Sequence, residues 1–561
     1  MKIRKITIQH YKGVKKLEWA LPDRSFFCLL GPGDASKTSI LEAISLVFYP
    51  GWEPPIKDTD FYQGARDNPI VIELVVGDLI DDFFSDNRYG LNLIGWDKKH
   101  KKAHEALNDP LEPALRIRFS MEGDEAPKWE IYKSGNAVRN FSVSDRKKIY
   151  ISALGDGKEN AFSWAEGALM DRLTHQTNLK EFLADAGRSM RDAIDETKKT
   201  LVACSAAAQE AESIAKKIGA AVIDSYQMSL DMGLFSIKPN QLTLHDGLVP
   251  LRNLGVGSRR LILCGLQKKF ITRNHITIFD DMEAGLEPHR IIKLIREIKT
   301  DDGGQYFSTT HSPTVIRELS AADLYIVHKN DDIVQIMDVS QPDFGSLNIE
   351  KKIKSSADAF LAKKILVCEG ETEVGFLKGY DSFMGGDSED SFALHGVCLL
   401  NAVGNTQITK IAKSFFDLGY DIAVFGDGDD NRFTLEKARA EVSDHTPVFI
   451  WGSGFSTEQA VFRDLPWPYV QQSVLVAFAK YPKRKDWFMQ FKNLVQDPLK
   501  WVETADLRKT ISDKAKSEGW FKDIKDAETW FFSIQEAFDD SSFSKTEVFE
   551  TLNKIWIWAK K

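Results

Sequence analysis

The chain has 561 residues, of which 43% are hydrophobic, 28% charged and 11% aromatic, with a formal net charge of −9. This composition excludes a disordered, collagen-like or purely coiled-coil chain, and the length predicts about three domains. No apolar run reaches the roughly 18–20 residues that cross a bilayer, and the negative charge excludes a wholesale basic coat while leaving room for a local basic groove. The N-terminus, MKIRKITIQHYKG, alternates charged and apolar residues and lacks the apolar stretch of a signal peptide. Cys28, Cys204, Cys264, Cys368 and Cys398 are scattered, without metal or redox spacing. The expectation is buried, reduced thiols in a cytoplasmic protein with no membrane segment.

In chain order, alternation over residues 2–9 and a turn at Lys12-Gly13 predict two strands. An apolar strand over Ser25–Leu30 follows, ending in GPGDASKTSILEAISLVF. Gly31 to Thr38 reads G-x-x-x-x-S-K-T, which is a P-loop pattern with Ser36 in place of the last glycine. The helical pattern behind it (Ile40, Leu41, Ile44, Val47) completes a strand–loop–helix unit. Backbone N–H groups at such a helix start, from Gly31 and Gly33 through Ser36 and Ser39, wrap phosphate oxygens. Lys37 would reach the β- and γ-phosphates of ATP, and Thr38 would hold Mg²⁺.

Residues 175–233 read as long helices rich in Ala, Glu and Lys, without proline. Leu179, Phe182, Leu183 and Met190 suit one face, which fits either a dimerisation arm or a cap on its own domain. In NLGVGSRRLILCGL, Gly255, Gly257 and Ser258 stand at a helix start, a second natural anion seat. The buried strand of ITIFDDME ends at Asp280, expected to hold metal through water, and Asp281, where a glutamate usually polarises the attacking water. A strand over Gln305–Ser308 leads to His311, placed to contact a γ-phosphate. These motifs, in this order, resemble an ABC-type ATPase head. In that class Gly257 and Ser258 complete the ATP site of a second subunit.

After Ser340 a polar stretch, 341–360, reads as a linker. A strand over Lys364–Cys368 ends in EGETE, with Glu369 at its close and Glu373 in the first helical turn. Further strands cover Val397–Asn401 and Asp421–Phe425, the second followed by Asp427 and Asp429; Glu458 falls at a later helix start. Crowded carboxylates need a cation to remain ionised together. Oxygen donors of this kind suit Mg²⁺ or Mn²⁺, and a metal pair would serve phosphodiester cleavage. The pattern strand–E-G-x-T-E–helix, then strand–G-D-x-D, resembles a Toprim fold.

An ATPase head followed by a Toprim module resembles the overcoming-lysogenization-defect (OLD) nucleases. The resemblance implies an α/β chain with these parts: ATPase halves at 1–174 and 234–340, a helical dimerisation insert at 175–233, a linker at 341–360, and a Toprim nuclease with C-terminal helices at 361–561. It implies an ATP-binding, metal-dependent DNA endonuclease or nickase, a homodimer or higher oligomer. It also suggests an anti-phage effector, acting alone, with a partner defence protein, or with a retron RNA–DNA hybrid. Glu369, Asp427 and Asp429 would form the core metal set, and Glu373 and Glu458 would hold a second ion. A C-terminal lysine among Lys514, Lys516 and Lys522, with Lys516 or Lys522 favoured, would stabilise charge on the phosphorane. Competing readings are a DNA-repair clamp with a non-cleaving Toprim module and a primase- or topoisomerase-like enzyme.

Three departures bear on ATP. Ser36 adds a side chain to the loop, Asp281 is one methylene short of glutamate, and Met282 replaces a proline. Binding is expected to survive while hydrolysis is slow. The tail from Pro466 interleaves tryptophans with lysines, which fits a nucleic-acid groove or a helical core.

Overall fold

The computed structural model describes residues 1–123, 125–154, 162–164, 170, 181–183, 185–190, 202–217, 223, 225–226, 242–270, 275–300, 303–340, 349–386, 390–429, 434–452, 454–480 and 497–561. Most of the helical stretch expected at 175–233 lies outside these residues, as do 341–348 and the lysine-rich YPKRKDWF. Within that stretch Val202–Lys217 is a helix, Leu183 is buried, and Phe182 and Met190 are exposed.

Two sheets organise the chain. The larger has fourteen strands: β1 (Lys2–Tyr11), β2 (Val14–Ala20), β3 (Phe26–Leu30), β4 (Ile70–Gly77), β5 (Ile94–Asp97), β6 (Lys102–His104), β7 (Glu112–Met121), β8 (Lys128–Ile131), β9 (Arg139–Asn140), β10 (Tyr150–Leu154), β13 (His275–Phe279), β14 (Gly304–Thr309), β15 (Leu324–Asn330) and β16 (Ile333–Asp338). A separate two-residue hairpin, β11 (His245–Asp246) with β12 (Val249–Pro250), precedes the Gly255–Ser258 segment. The smaller sheet has four parallel strands in the order β18 (Val397–Asn401), β17 (Lys364–Cys368), β19 (Asp421–Gly426), β20 (Val448–Ile450).

In the larger sheet β10, β13, β14, β3 and β15 run parallel side by side. Strands covered on both faces read as unbroken apolar runs, and FFCLL (β3) and HITIF (β13) are buried throughout. Beyond β16 and β2 the sheet turns antiparallel through β1, β4 and β7. There the alternation of KIRKITIQ becomes a strand with one face turned to the core.

Among the described residues, three large apolar cores follow from this layering, with a small fourth cluster of Val75, Ile94, Trp96 and Ala114. One face of the large sheet packs on the helix Lys37–Val47 through Ile40, Ile44 and Val47. Its other face shares a single core with the small sheet, in which Leu30, Phe279 and Ile326 meet Ile365, Val367, Ile422 and Val424. Ile353, Ala357 and Phe360 fill the space between. The latter part of the stretch read as a linker is therefore a helix, Ile349–Ser355, and a tight turn, Ala357–Leu361, packed between the sheets. The third core covers the far face of the small sheet with the C-terminal helices. Trp501, Trp520, Trp530, Trp556 and Trp558 all lie in it, so these aromatics are core and line no groove.

Strand β15 also braces the two sheets. The carbonyl of Val327 lies against Gly31, where a Cβ would come within 2.5 Å of it, and that glycine has φ +138°. The next residue, His328, places Nε2 2.5 Å from the carbonyl of Leu418, in the turn that enters β19.

Candidate nucleotide and metal sites

The first site forms where β3 ends and the helix Lys37–Val47 begins. Ser36 has φ +67°, a left-handed conformation in which glycine is free and other residues lose roughly 1–2 kcal/mol. That is why the pattern asks for glycine here. The loop keeps its course with serine because the helix it starts is anchored by Ile40, Leu41 and Ile44. Gly33 is open to solvent, Thr38 is exposed, and Ser39 is half-buried in the first turn. Lys37 is buried and folds back to donate to the carbonyls of Gly31 (2.9 Å) and Pro32 (2.8 Å). Burial lowers the pKa of its ammonium, against the pull of Asp281, Asp280 and Asp34.

Strand β13 delivers Asp280 to this loop. Its Oδ1 accepts from Thr38 Oγ1 (3.1 Å) and Thr309 Oγ1 (2.7 Å). Thr309 Oγ1 in turn accepts from the Asp281 N–H at 2.8 Å. Asp281 has φ +47°, and burial, with Asp280 and Glu283 close by, raises its pKa. His311 has a backbone N–H 2.7 Å from Glu283 Oε1. Met282, in place of proline, is fully buried.

Gly257 lies in the first turn of the helix Val256–Phe270, so close to the carbonyl of Gly285 that no side chain fits. Ser258 Oγ lies 3.4 Å from the Arg290 guanidinium. Arg260 donates to the carbonyls of Asp280 and Asp281, which ties this helix to the turn after β13.

The second site forms at the ends of β17 and β19, which pair in parallel. Glu369 follows β17, and its Oε2 accepts from the N–H of Asp427, the residue after β19, at 2.9 Å. Glu373 lies in the first turn of the helix Glu371–Gly385 and is buried. Glu458 opens the helix Thr457–Asp464 and is fully buried, with Ser456 Oγ donating to its Oε2 at 3.0 Å. Lys522 Nζ lies 2.8 Å from Glu458 Oε1, and Lys516 Nζ 2.8 Å from Asp429 Oδ2. Lys514, two residues before Lys516 on the same helix, lies 4.0 Å from Glu518.

Thr457 sits at the centre. Its hydroxyl lies 2.6 Å from Glu373 Oε1 and 2.7 Å from Asp427 Oδ1, and accepts from the Trp451 indole at 2.7 Å. Its backbone N–H also donates to Asp427 Oδ1 at 2.7 Å. One hydroxyl hydrogen cannot serve two carboxylates, so the second short contact suits a proton on one of the two carboxyl groups, donated to the Thr457 oxygen. The electrostatics agree. Burial first, then the charge of Asp427, raises the Glu369 carboxyl to about 7. Burial and neighbouring carboxylates also raise Asp427 and Glu373. Burial pulls the Lys522 ammonium down, but Glu458, Glu373 and Asp427 more than offset it, so its pKa is raised.

Crowded, partly protonated oxygen donors, with no histidine or cysteine among them, suit a hard divalent cation that would displace the protons. Among the described residues no three of these side chains already converge as a ligand set. The Thr457 hydroxyl and the two lysines lie between them.

Residues 360–429 match the family model described as "Overcoming lysogenization defect protein-like, TOPRIM domain". This segment is an OLD-like Toprim domain. It contains Glu369, Glu373, Asp427 and Asp429, while Glu458, Lys516 and Lys522 lie beyond it. Three solved structures align over most of their own length. An SmcHead bound to the C-winged helix domain of ScpA is 12% identical, with 60% of this chain and 98% of that chain covered and a TM-score of 0.31. The SMC head domain from Thermotoga maritima is 13% identical, with 61% and 100% covered and a TM-score of 0.29. An Smc head with an extended coiled coil, bound to the C-terminal domain of ScpA derived from Pyrococcus furiosus, is 11% identical, with 64% and 99% covered and a TM-score of 0.32. No curated protein matches. The region N-terminal to the Toprim domain has the strand layout of an ABC-type head fold: the P-loop strand β3 lies between β14 and β15, with the Asp280 strand β13 beside β14 and an antiparallel extension beyond. Among the described residues no helix is long and apolar enough to cross a membrane.

The structure thus brings Thr38, Asp280, Asp281 and Lys37 together, and Glu369, Glu373, Asp427 and Glu458 together, with Lys516 and Lys522 at the second group. Sequence reasoning missed Thr457, Trp451, Thr309 and Glu283. For Thr457 a signal was present: Ser456 and Gln459 form a capping box, which fixes the residue after Ser456 at a helix start.

Proposed function

We propose that the chain is a metal-dependent DNA endonuclease or nickase whose cleavage is set by nucleotide at the ATPase region. The observation that carries this reading is the facing of Glu369 and Asp427 across the strand ends of an OLD-like Toprim domain, with Glu373 and Glu458 buried behind them. Mg²⁺ or Mn²⁺, when bound, supplies Lewis-acid polarisation of the phosphodiester and a more acidic water. Glu369, Asp427 and Asp429 would hold it, and Glu373 and Glu458 would complete the acidic wall. Lys516, 40% exposed, and Lys522, 49% exposed, are the lysines that would reach the oxygens of a DNA phosphate.

In this reading Gly31, Gly33, Ser36, Lys37, Thr38 and Ser39 bind the ATP phosphates, Asp280 orders the metal of ATP, and Asp281 with His311 governs a slow hydrolysis. Gly257 and Ser258 complete the nucleotide site of a second copy, so the working unit is a homodimer or larger. ATPase halves at 1–174 and 234–340, a dimerisation insert at 175–233 and a nuclease unit from 361 complete the reading. The contacts of β15 with both Gly31 and the turn before β19 support coupling between the sites. The family likeness favours an anti-phage role, alone or with a partner protein or RNA–DNA hybrid. Loss of protection against phage in the Asp427→Ala strain would check that role.

A second reading, a DNA clamp with a non-cleaving Toprim module, is favoured by the lysines already paired with Asp429 and Glu458. Supercoiled plasmid with Mg²⁺ or Mn²⁺, with and without ATP, separates the two. The nuclease reading expects metal-dependent nicked circles and an ATP effect in wild type that Ser258→Arg abolishes. Plasmid bound but uncut under every condition supports the clamp.

A further inference from the structure

Two cations already sit at the acidic cluster, and they are held differently. Lys516 reaches Asp429 from the helix Ala505–Ser517 and also donates to the side-chain oxygen of half-buried Gln459 at 3.3 Å. Lys522 comes from a clamped segment. Phe521 precedes it with φ +56°, a conformation strained for an aromatic residue. The Phe521 ring stacks on Trp530 at 4.3 Å between centroids and 9° between planes. Its carbonyl accepts from Thr372 Oγ1 at 3.2 Å. Thr372 adjoins Glu373 in the helix that forms the wall of the site. Strain of this kind persists only where the surroundings over-determine it. Here those surroundings fix where the next side chain, Lys522, begins.

The ammonium it delivers lies 2.8 Å from Glu458 Oε1. Glu458 has no solvent exposure, and no hydroxyl or amide donates to that oxygen among the described residues. A buried carboxylate that stays ionised needs a positive charge beside it. A divalent cation bound to the same oxygen would lie within about 2–2.6 Å of it and be pressed against the ammonium.

We infer that Lys522 permanently takes the place of a second metal ion at Glu458 and Glu373, so that this Toprim centre binds one divalent cation, at Glu369 and Asp427. The inference rests on the metal-centre reading above and narrows it, since the sequence pattern alone suggested a metal pair. Lys522 is a positioning residue in this scheme, its ammonium committed to Glu458.

The test counts ions on the nucleotide-free full chain, with Mn²⁺ as the probe, by calorimetry and by electron paramagnetic resonance. Wild type should bind one Mn²⁺ that Asp427→Asn loses, with no Mn–Mn coupling in its spectrum. Lys522→Met should gain a second ion and a coupled spectrum, and Lys522→Arg should stay at one. If Lys522→Met does not fold, the wild-type and Lys522→Arg counts decide alone. Two coupled ions in wild type, or a single ion in folded Lys522→Met, overturn the inference and leave the metal centre standing. No Mn²⁺ in wild type overturns the metal-centre reading and this inference with it.

Discussion

The two sites are built at the same place in two different sheets. In each, a buried parallel strand ends, the chain turns, and a helix begins: β3 into Lys37–Val47, β17 into Glu371–Gly385. The backbone of such a turn offers N–H groups and the positive end of a helix dipole. At β3 the side chains leave that field open and add Lys37, and the result suits an anion. At β17 they set Glu369 and Glu373 in it, face them with Asp427, and the result suits a cation. Identical topology therefore says nothing about the sign of the ligand. The residues at the first helical turn decide it.

The acidic site should be the more sensitive of the two. Asp427→Ala should reduce plasmid nicking to the level seen without metal while the protein keeps its melting temperature within a few degrees, because the residue faces the site and not a core. Nicking at the wild-type rate would remove the contrast between the sites. Thr457→Val should come next. It deletes the hydroxyl between Glu373 and Asp427, and the loss of such a support is expected to lower Mn²⁺ affinity about 10–100-fold. Thr457→Ser should restore it, as measured by calorimetry.

The pH response sharpens the comparison. Glu369 is raised from 4.5 to about 7 in the folded chain, and Asp427 moves the same way. The folded protein then binds more protons than the unfolded one above the ordinary carboxylate range. The stability contributed by these groups is fully present at pH 4.5 and below, and is lost as the pH rises through about 7. Metal-free protein should melt at a lower temperature at pH 8 than at pH 6. Saturating Mn²⁺ should reverse the trend, because the cation replaces the protons, and thermal melts with and without EDTA check both signs. At the nucleotide site the expected effect is smallest. Ser36→Gly should relieve the left-handed strain and stabilise the protein by about 1 kcal/mol in urea unfolding, with ATP binding retained.

Much of this architecture was legible in the chain. FFCLL, HITIF and KILVC are short apolar runs bounded by glycine or acidic residues, and each is a buried parallel strand. The P-loop, the Asp280–Asp281 pair and the EGETE and GDGD segments mark strand ends because those residues can only be tolerated where a strand leaves the core. Less legible were the elements whose roles depend on distant partners. Residues 349–361 look polar and linker-like, yet Ile353, Ala357 and Phe360 are enough to wedge them between the sheets. The C-terminal tryptophans look poised for a groove, and packing against aromatic residues such as Phe376, Phe462 and Phe521 buries them in the core.

By itself the sequence determined which strands end in phosphate- or metal-seeking residues, since local periodicity and residue type are carried within a dozen positions. Only the tertiary structure decided how those ends face one another. Thr457, Lys516 and Lys522 lie far along the chain from Glu369, and no local pattern encodes a hydroxyl shared by two carboxylates or an ammonium clamped against a buried glutamate. Those arrangements arise when separate helices close over the sheet, because a buried charge must find its partner wherever packing brings one within reach.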